Sequence, residues 1–140
     1  MKITPRAYAI DANVIVRYLV QDDPKLTPKS IAIMEAIHCG SIVATCDPVI
    51  VAEVVWVLSS VYKLAPERIA EGLIPILQAT HLDVPNRQHY LDALRLYSTS
   101  TPHFGDACLC AAAMEECDGQ VLSFDRRVSR VEGISRAESV

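Results

Sequence analysis

The sequence predicts an α/β sandwich with a mostly parallel central sheet. Short apolar segments rich in β-branched residues alternate along the chain with segments whose apolar residues recur at helical spacing. The connections between the strand candidates are long enough to hold helices, which parallel neighbours require as crossovers. At 140 residues the chain fits a single domain that spans 1–140.

The first half of the chain predicts two strands and four helices. The apolar run at 8–10 ends at Asp11, and helical spacing begins shortly after it. Thr27-Pro28 and Asp47-Pro48 each combine a capping residue with a proline, which is typical of a helix start. The predicted elements are strands 8–10 and 41–46 and helices 13–20, 28–40, 48–62 and 66–78, the last with a kink at Pro75.

The second half of the chain continues the alternation of helices and strands. Asn86 is a capping residue before a helical segment, and the polar stretch 98–105 is typical of a loop. An alanine-rich helix is predicted from Asp106, and an apolar strand ends at Asp125. The predicted elements are helices 86–97 and 106–117, strands 81–84 and 120–124, and an edge strand at 134–138.

The charge and the cysteine content narrow the class of protein. With a formal charge of −4 and a pI near 5.5, the chain has no global attraction for nucleic acid, so an anionic partner requires local positive charge or a metal ion. Five irregularly spaced cysteines indicate reduced thiols, and the N-terminal stretch does not resemble a signal peptide. No apolar run reaches the roughly 18 residues of a membrane span. We therefore expect a soluble, cytoplasmic protein without membrane association.

Four acidic residues stand where predicted elements end or begin. Asp11 and Asp125 each follow an apolar strand, and ligands of parallel sheets bind beyond the carboxyl ends of the strands. Asp106 opens a helix, and Glu53 lies about one turn into the strongly apolar helix 48–62. Four carboxylates at one sheet edge repel each other unless a hard cation such as Mg²⁺ or Mn²⁺ neutralises them. This pattern predicts metal-assisted hydrolysis of phosphodiesters.

Each of these acids also has a structural interpretation. Asp11 is a suitable helix cap, and Asp106 interacts favourably with the N-terminus of its own helix. Asp125 pairs with a neighbouring arginine in a solvated turn. An ionised, buried Glu53 without a partner costs on the order of 5 kcal/mol, so it either reaches solvent, pairs with Arg17 or binds a metal. The sequence leaves these alternatives open.

Four segments resemble, in order, the motifs of the PIN domain family. They are IDANVIVRYL at 10–19, AEVVWVL at 52–58, FGDA at 104–107 and SFD at 123–125. The resemblance covers nearly the whole chain and is strongest to the VapC-type toxins of toxin-antitoxin pairs. It implies a Rossmann-like three-layer α/β/α sandwich and a Mg²⁺- or Mn²⁺-dependent endoribonuclease. It also implies a homodimer that is inhibited by a small antitoxin protein.

The resemblance further implies roles for individual residues. The four acids match the catalytic and metal-binding positions: Asp11 and Asp106 as direct ligands, Glu53 as a ligand or a water-positioning base, and Asp125 as a ligand through water. Asn13 and Ser123 match polar positions that support these ligands. Many relatives have a further acid where this chain has His103, which we interpret as a loop residue rather than as a phosphate or transition-metal ligand.

Residues near these motifs have weaker functional signals. Arg126, Arg127 and Arg130 follow Asp125 and are candidates for RNA-backbone contacts, with a solvated helix as the alternative. Trp56 and the helical tyrosines are predicted to be core or dimer contacts rather than base-stacking surfaces. Cys108, Cys110 and Cys117 lack the spacing of a zinc site and are predicted to be small core residues.

Two rival functions remain beside the nuclease. One is a Mg²⁺-dependent phosphatase or receiver domain of Rossmann-like form, in which an aspartate after the first strand is phosphorylated. The sequence D-A-N at 11–13, without paired acids there and without a suitable lysine near a later strand end, disfavours it. The other is a non-catalytic module that binds RNA or protein with the same fold.

Overall fold

The computed structural model describes residues 4–140 and confirms the predicted α/β fold class. The strands are β1 Arg6–Ala9, β2 Ile42–Thr45, β3 Leu82–Asp83, β4 Gln120–Leu122 and β5 Ser135–Ala137. The α-helices are α1 Ala12–Val20, α2 Thr27–His38, α3 Pro48–Ser60, α4 Pro66–Leu77, α5 Arg87–Thr99 and α6 Phe104–Glu116. A short 3₁₀ helix spans Arg126–Arg130 between β4 and β5.

The helix start signals identified most helices correctly, with local differences. Asp47 caps α3 as predicted, because its carboxylate accepts a hydrogen bond from the Val49 amide at 2.8 Å. Thr27 is the first residue of α2 rather than its cap. Asn86 occupies the N-cap position of α5 as predicted, but its backbone is left-handed and its side chain makes no capping hydrogen bond. Glycine and asparagine tolerate this conformation best, which explains the residue type there.

The strands form two parallel sheets. In the first, the hydrogen-bonded order is β1-β2-β3, with Arg6 opposite Ile42 and Ala44 opposite Leu82. In the second, β4 pairs with β5, with Gln120 opposite Ser135. All pairs are parallel, as the alternation of strands and helices predicted.

Two hydrophobic clusters meet at α6. The larger cluster joins α1, α3, α4 and α5 to the three-stranded sheet, and the fully buried Leu58, Leu73 and Leu94 belong to it. The smaller cluster packs Val121, Val128 and Ile134 against the Cys110 side of α6. Helix α6 therefore connects the C-terminal strands to the main core.

Candidate functional site

Asp11 caps the first helix. It lies just after β1, its backbone is extended, and its carboxylate accepts a hydrogen bond from the Ala12 amide at 2.9 Å. The first amides of a helix lack partners within the helix, so this contact satisfies one of them. The side chain is exposed and borders a pocket of about 480 Å³ between β1, β2 and α2. The structural interpretation of Asp11 as a cap is therefore confirmed.

Glu53 reaches solvent. Helix α3 turns Val51, Val54, Val55 and Leu58 into the core, whereas Glu53 is exposed on the opposite side. Arg17, its suggested ionic partner, instead donates to Asp22 at 3.1 Å and to the Tyr62 hydroxyl at 2.8 Å. Of the alternatives left open by the sequence, the ion pair of Glu53 with Arg17 is therefore wrong, and exposure to solvent removes the need for a buried counter-charge.

An open groove of about 810 Å³ contains Glu53. Its walls come from α3, from α5 and from the start of α6. Trp56, Tyr90 and Phe104 line it with aromatic surface, and His103, just before α6, also lines it. Trp56 is 64% exposed, so its predicted place in the core is wrong; as a dimer contact it stays a prediction.

Asp106 lies in the first turn of α6. A carboxylate in this position interacts favourably with the positive end of the helix dipole, as its structural interpretation predicted. The side chain is half-buried, and its charge contributes to a raised pKa of the neighbouring Cys110 thiol, whose main cause is burial. The charge of Asp106 also contributes to the raised pKa of Arg127, for which the hydrogen bond to Asp125 is the largest cause.

Asp125 is held by Arg127. The guanidinium donates from Nε to Oδ1 at 3.1 Å and from Nη2 to Oδ2 at 2.8 Å, while the Arg127 amide donates to Oδ1 at 2.9 Å. These hydrogen bonds lower the pKa of Asp125 from 3.8 to about 2, with the side-chain hydrogen bond as the largest cause. The predicted ion pair in a solvated turn is thus confirmed, and Arg127 has a carboxylate partner in this arrangement.

The supporting polar residues differ in their contacts. The Ser123 hydroxyl accepts a hydrogen bond from the Asp125 amide at 3.0 Å and so orients the backbone that carries this acid. Asn13 is exposed on α1. Arg126 and Arg130 are exposed on the 3₁₀ helix and accessible to an anionic partner.

The structure brings the four acids only partly together. Glu53 shares its groove with His103, which precedes Asp106 by three residues. Asp11 borders a different pocket. Within residues 4–140 no group of three or more histidine, cysteine, aspartate or glutamate side chains is arranged to hold a metal ion. Carboxylates are the ligands that Mg²⁺ prefers, so the donor chemistry fits, but their arrangement does not form a metal site.

Sequence reasoning missed two features of this region. Cys46 and Cys110 are buried, but Cys117 is exposed, so its predicted core position is wrong. The double contact of Arg127 with both oxygens of Asp125 was foreseen only as a generic ion pair. The spacing D-x-R across a turn indicates such a contact. The arginine two residues after the aspartate can fold back onto the carboxylate that caps the turn.

Comparison with known families identifies the class of protein. A family model described as PIN domain matches residues 8–134, so the chain belongs to the PIN domain family. PIN domains are in general metal-dependent nucleases that act on RNA or other nucleic acids. A comparison with curated proteins found no match. None of the helices within 4–140 has the length and apolar content needed to cross a membrane.

Proposed function

We propose that the chain is a Mg²⁺- or Mn²⁺-dependent endoribonuclease and the toxin of a toxin-antitoxin pair. The observation that carries the proposal is the PIN match over 8–134, which includes all four acid positions, Asp11, Glu53, Asp106 and Asp125. Asp11, Glu53, Asp106 and Asp125 would be the residues to hold a Mg²⁺ or Mn²⁺ ion, which would supply Lewis-acid activation of the phosphodiester and of a water.

The chain's own residues supply the surroundings for this chemistry. Glu53 and His103 both line the open groove, whose aromatic walls are accessible to unpaired bases. Asp106 and Asp125 lie within electrostatic reach of Arg127. Exposed arginines next to these acids offer local positive charge to an RNA backbone, which the net charge of −4 does not provide.

Cleavage of a structured RNA pool with Mg²⁺, Mn²⁺ or EDTA tests the proposal. Asp11→Asn and Asp106→Asn should abolish metal-dependent cutting. Glu35→Gln is the matched control, because this acid is exposed on α2 and its substitution removes the same charge. Cutting that persists in both aspartate variants would refute the assignment.

RNA binding through the arginines has its own test. Reversal of Arg126 and Arg127 to Glu should weaken RNA binding and reduce its salt dependence. Arg68→Glu is the control, because Arg68 is exposed on α4 and far in sequence from the arginine pair. Its substitution changes the charge by the same amount per residue. Equal binding by both proteins would reject a specific role for the arginine pair.

The proposal also covers the biological role of the protein and its partners in the cell. We propose a cytoplasmic homodimer neutralised by a small antitoxin protein, and the exposed apolar side chains of Val49 and Trp56 on α3 offer surface for a protein partner. Induction in a bacterial host should arrest growth, and Asp11→Asn should relieve the arrest. Light scattering of the purified protein should give twice the chain mass of 15.4 kDa.

A non-catalytic binding module is the second candidate. It is favoured by one observation: among the described residues, the acids do not form a metal-binding group. This candidate predicts tight RNA binding and no cleavage with Mg²⁺, with Mn²⁺ or with EDTA.

A further inference from the structure

The turn that carries Asp125 is joined to strand β5 through Ser123. This residue directly follows Leu122, the last residue of β4. Its amide donates to the Ala137 carbonyl at 3.0 Å, and its hydroxyl accepts from the Asp125 amide at 3.0 Å. Ser123 therefore connects the end of the β4–β5 ladder to the backbone of Asp125.

A side chain continues this ladder where the backbone of β5 leaves it. In a parallel pair, the Ser123 carbonyl would next accept from the amide of Ser139, because donors and acceptors alternate along the two strands. Strand β5 ends at Ala137, however, and the donor to this carbonyl is Nη1 of Arg136 at 2.9 Å. Within residues 4–140, Ser139 makes no backbone hydrogen bond to Ser123. The guanidinium of Arg136 thus takes the place of a ladder amide.

Arg136 is itself held in place on β5. It lies opposite Val121 in the register of β4 and β5, and side chains at opposite positions lie on the same face of a sheet. Its side chain is 17% exposed, so the protein covers most of its stem. The same Nη1 donates to the Glu138 carboxylate at 2.9 Å, which orients the guanidinium. A charged donor also makes a stronger hydrogen bond to a carbonyl than a neutral amide does.

We infer that Arg136 is a positioning residue for Asp125, an assignment that rests on the proposed function of that acid. Arg136 fixes the Ser123 carbonyl, and the Ser123 hydroxyl in turn fixes the Asp125 amide. The backbone that aims the carboxylate is thereby tied to β5. The ion pair of Arg136 is with Glu138, so Arg136 acts on the direction of the Asp125 side chain and not on its charge.

This role is distinct from that of Arg127. The Arg127 guanidinium binds both oxygens of Asp125 and so competes with a cation for them. Arg136 instead holds the backbone that carries these oxygens. Loss of Arg127 should therefore free the oxygens, whereas loss of Arg136 should let them point in several directions. A ligand that needs one direction then binds less tightly, because its binding has to restore the lost order.

Hydrogen exchange of the Asp125 amide, measured by NMR on the full chain without metal, tests the contact. Arg136→Met keeps a stem of similar shape and removes the guanidinium, so the exchange should become at least about tenfold faster. Arg136→Lys retains a charged donor and should restore slower exchange. Unchanged exchange in Arg136→Met would overturn the inference.

Ile134→Val is the matched control for this measurement. Ile134 is buried just before β5, at the other end of the ladder from Ser123, and its substitution removes one buried methyl group. It destabilises the same pair of strands but leaves the hydrogen bonds of Ser123 in place, so it should change the exchange of the Asp125 amide by less than about threefold. Equal acceleration in Ile134→Val and Arg136→Met would overturn the inference.

Mn²⁺ affinity, measured by calorimetry, separates positioning from a merely structural role. Arg136→Met should weaken binding by about tenfold, the lower end of what the partners of metal ligands contribute. Removal of a positive charge alone favours cation binding, so such weakening cannot come from the change of charge. Ile134→Val should bind as tightly as the wild type. Equal weakening by Ile134→Val, or unchanged or tighter binding by Arg136→Met, would overturn the role of Arg136.

The two readouts separate failure of this role from failure of the proposed function. Amide exchange requires neither metal nor RNA. Fast exchange in Arg136→Met, in a protein that binds no Mn²⁺ and cuts no RNA, would support the attachment of the turn to Arg136 and count only against the nuclease.

Discussion

Replacing Glu53 by glutamine tests whether the carboxylate in the apolar helix α3 is hydrated. The side chain is exposed, whereas the adjacent Val54 has no exposed surface. An exposed acid changes the free energy of unfolding by no more than about 0.5 kcal/mol when its charge is removed. A buried, unpaired carboxylate would behave differently, because its neutralisation would stabilise the protein by several kcal/mol, on the order of 5.

Two valines on the same helix calibrate the experiment. Val54→Ala removes about two buried methylene equivalents and leaves a small cavity, so it should cost about 2 kcal/mol. Val49→Ala removes the same atoms from a residue that is 65% exposed. It should therefore lower the free energy of unfolding by about 0.5 kcal/mol or less. Urea unfolding followed by circular dichroism, with equal m values required, gives all three differences.

Glu53→Gln should change the rate of RNA cleavage without changing the stability of the fold. If Glu53 positions a water or binds the cation, Glu53→Gln should lower the cleavage rate by at least about 100-fold while the urea midpoint stays unchanged. A midpoint shift that corresponds to more than about 2 kcal/mol of stabilisation would refute the hydrated position of Glu53.

The remaining predictions concern Asp125 and one glycine. Arg127→Ala should raise the pKa of Asp125 from about 2 towards 3.8 in an NMR titration. Because the folded-state pKa is depressed, the ion pair stabilises the fold above pH 3.8, and the difference from Arg127→Ala should vanish as the pH falls through 2. Mn²⁺ binding followed by calorimetry should tighten in Arg127→Ala but not in Arg126→Ala, since only Arg127 occupies the Asp125 oxygens. Gly119→Ala should destabilise the protein by more than about 1 kcal/mol in thermal unfolding, because Gly119 has φ +78° and an added Cβ would lie 2.0 Å from the Gly133 carbonyl.

Local features of the sequence predicted most of the helices and strands. Proline after a capping residue located the start of α3, and apolar runs between polar turns located the strands, because these features act within a few residues of one another. The exposed side of α3 was not predictable in the same way. Apolar residues surround this helix, with Val49 and Trp56 on the outside and Leu58 inside, so periodicity gives no direction.

The candidate site depends on contacts that local patterns do not encode. The order of elements along the chain shows that Asp11 and Asp125 each follow a strand. It does not show which strands lie beside each other in the sheet. The relative position of these two acids depends on contacts between parts of the chain that are more than 100 residues apart. Such non-local pairing costs chain entropy and must be offset by tertiary packing.

Electrostatics explains why the acids are separate in this arrangement. Each has its own favourable surroundings: Asp11 caps α1, Glu53 is exposed to solvent, Asp106 lies in the first turn of α6, and Asp125 binds Arg127. Bringing Asp11 beside Asp125 replaces these contacts with mutual repulsion unless a cation compensates it. A cation that binds only the assembled acids would stabilise their assembly by RT ln(1 + [L]/Kd), about 2.7 kcal/mol at a concentration 100 times Kd. If a cation does bind the assembled acids, assembly and metal affinity are linked, so a substitution that disfavours the assembly should also weaken metal binding.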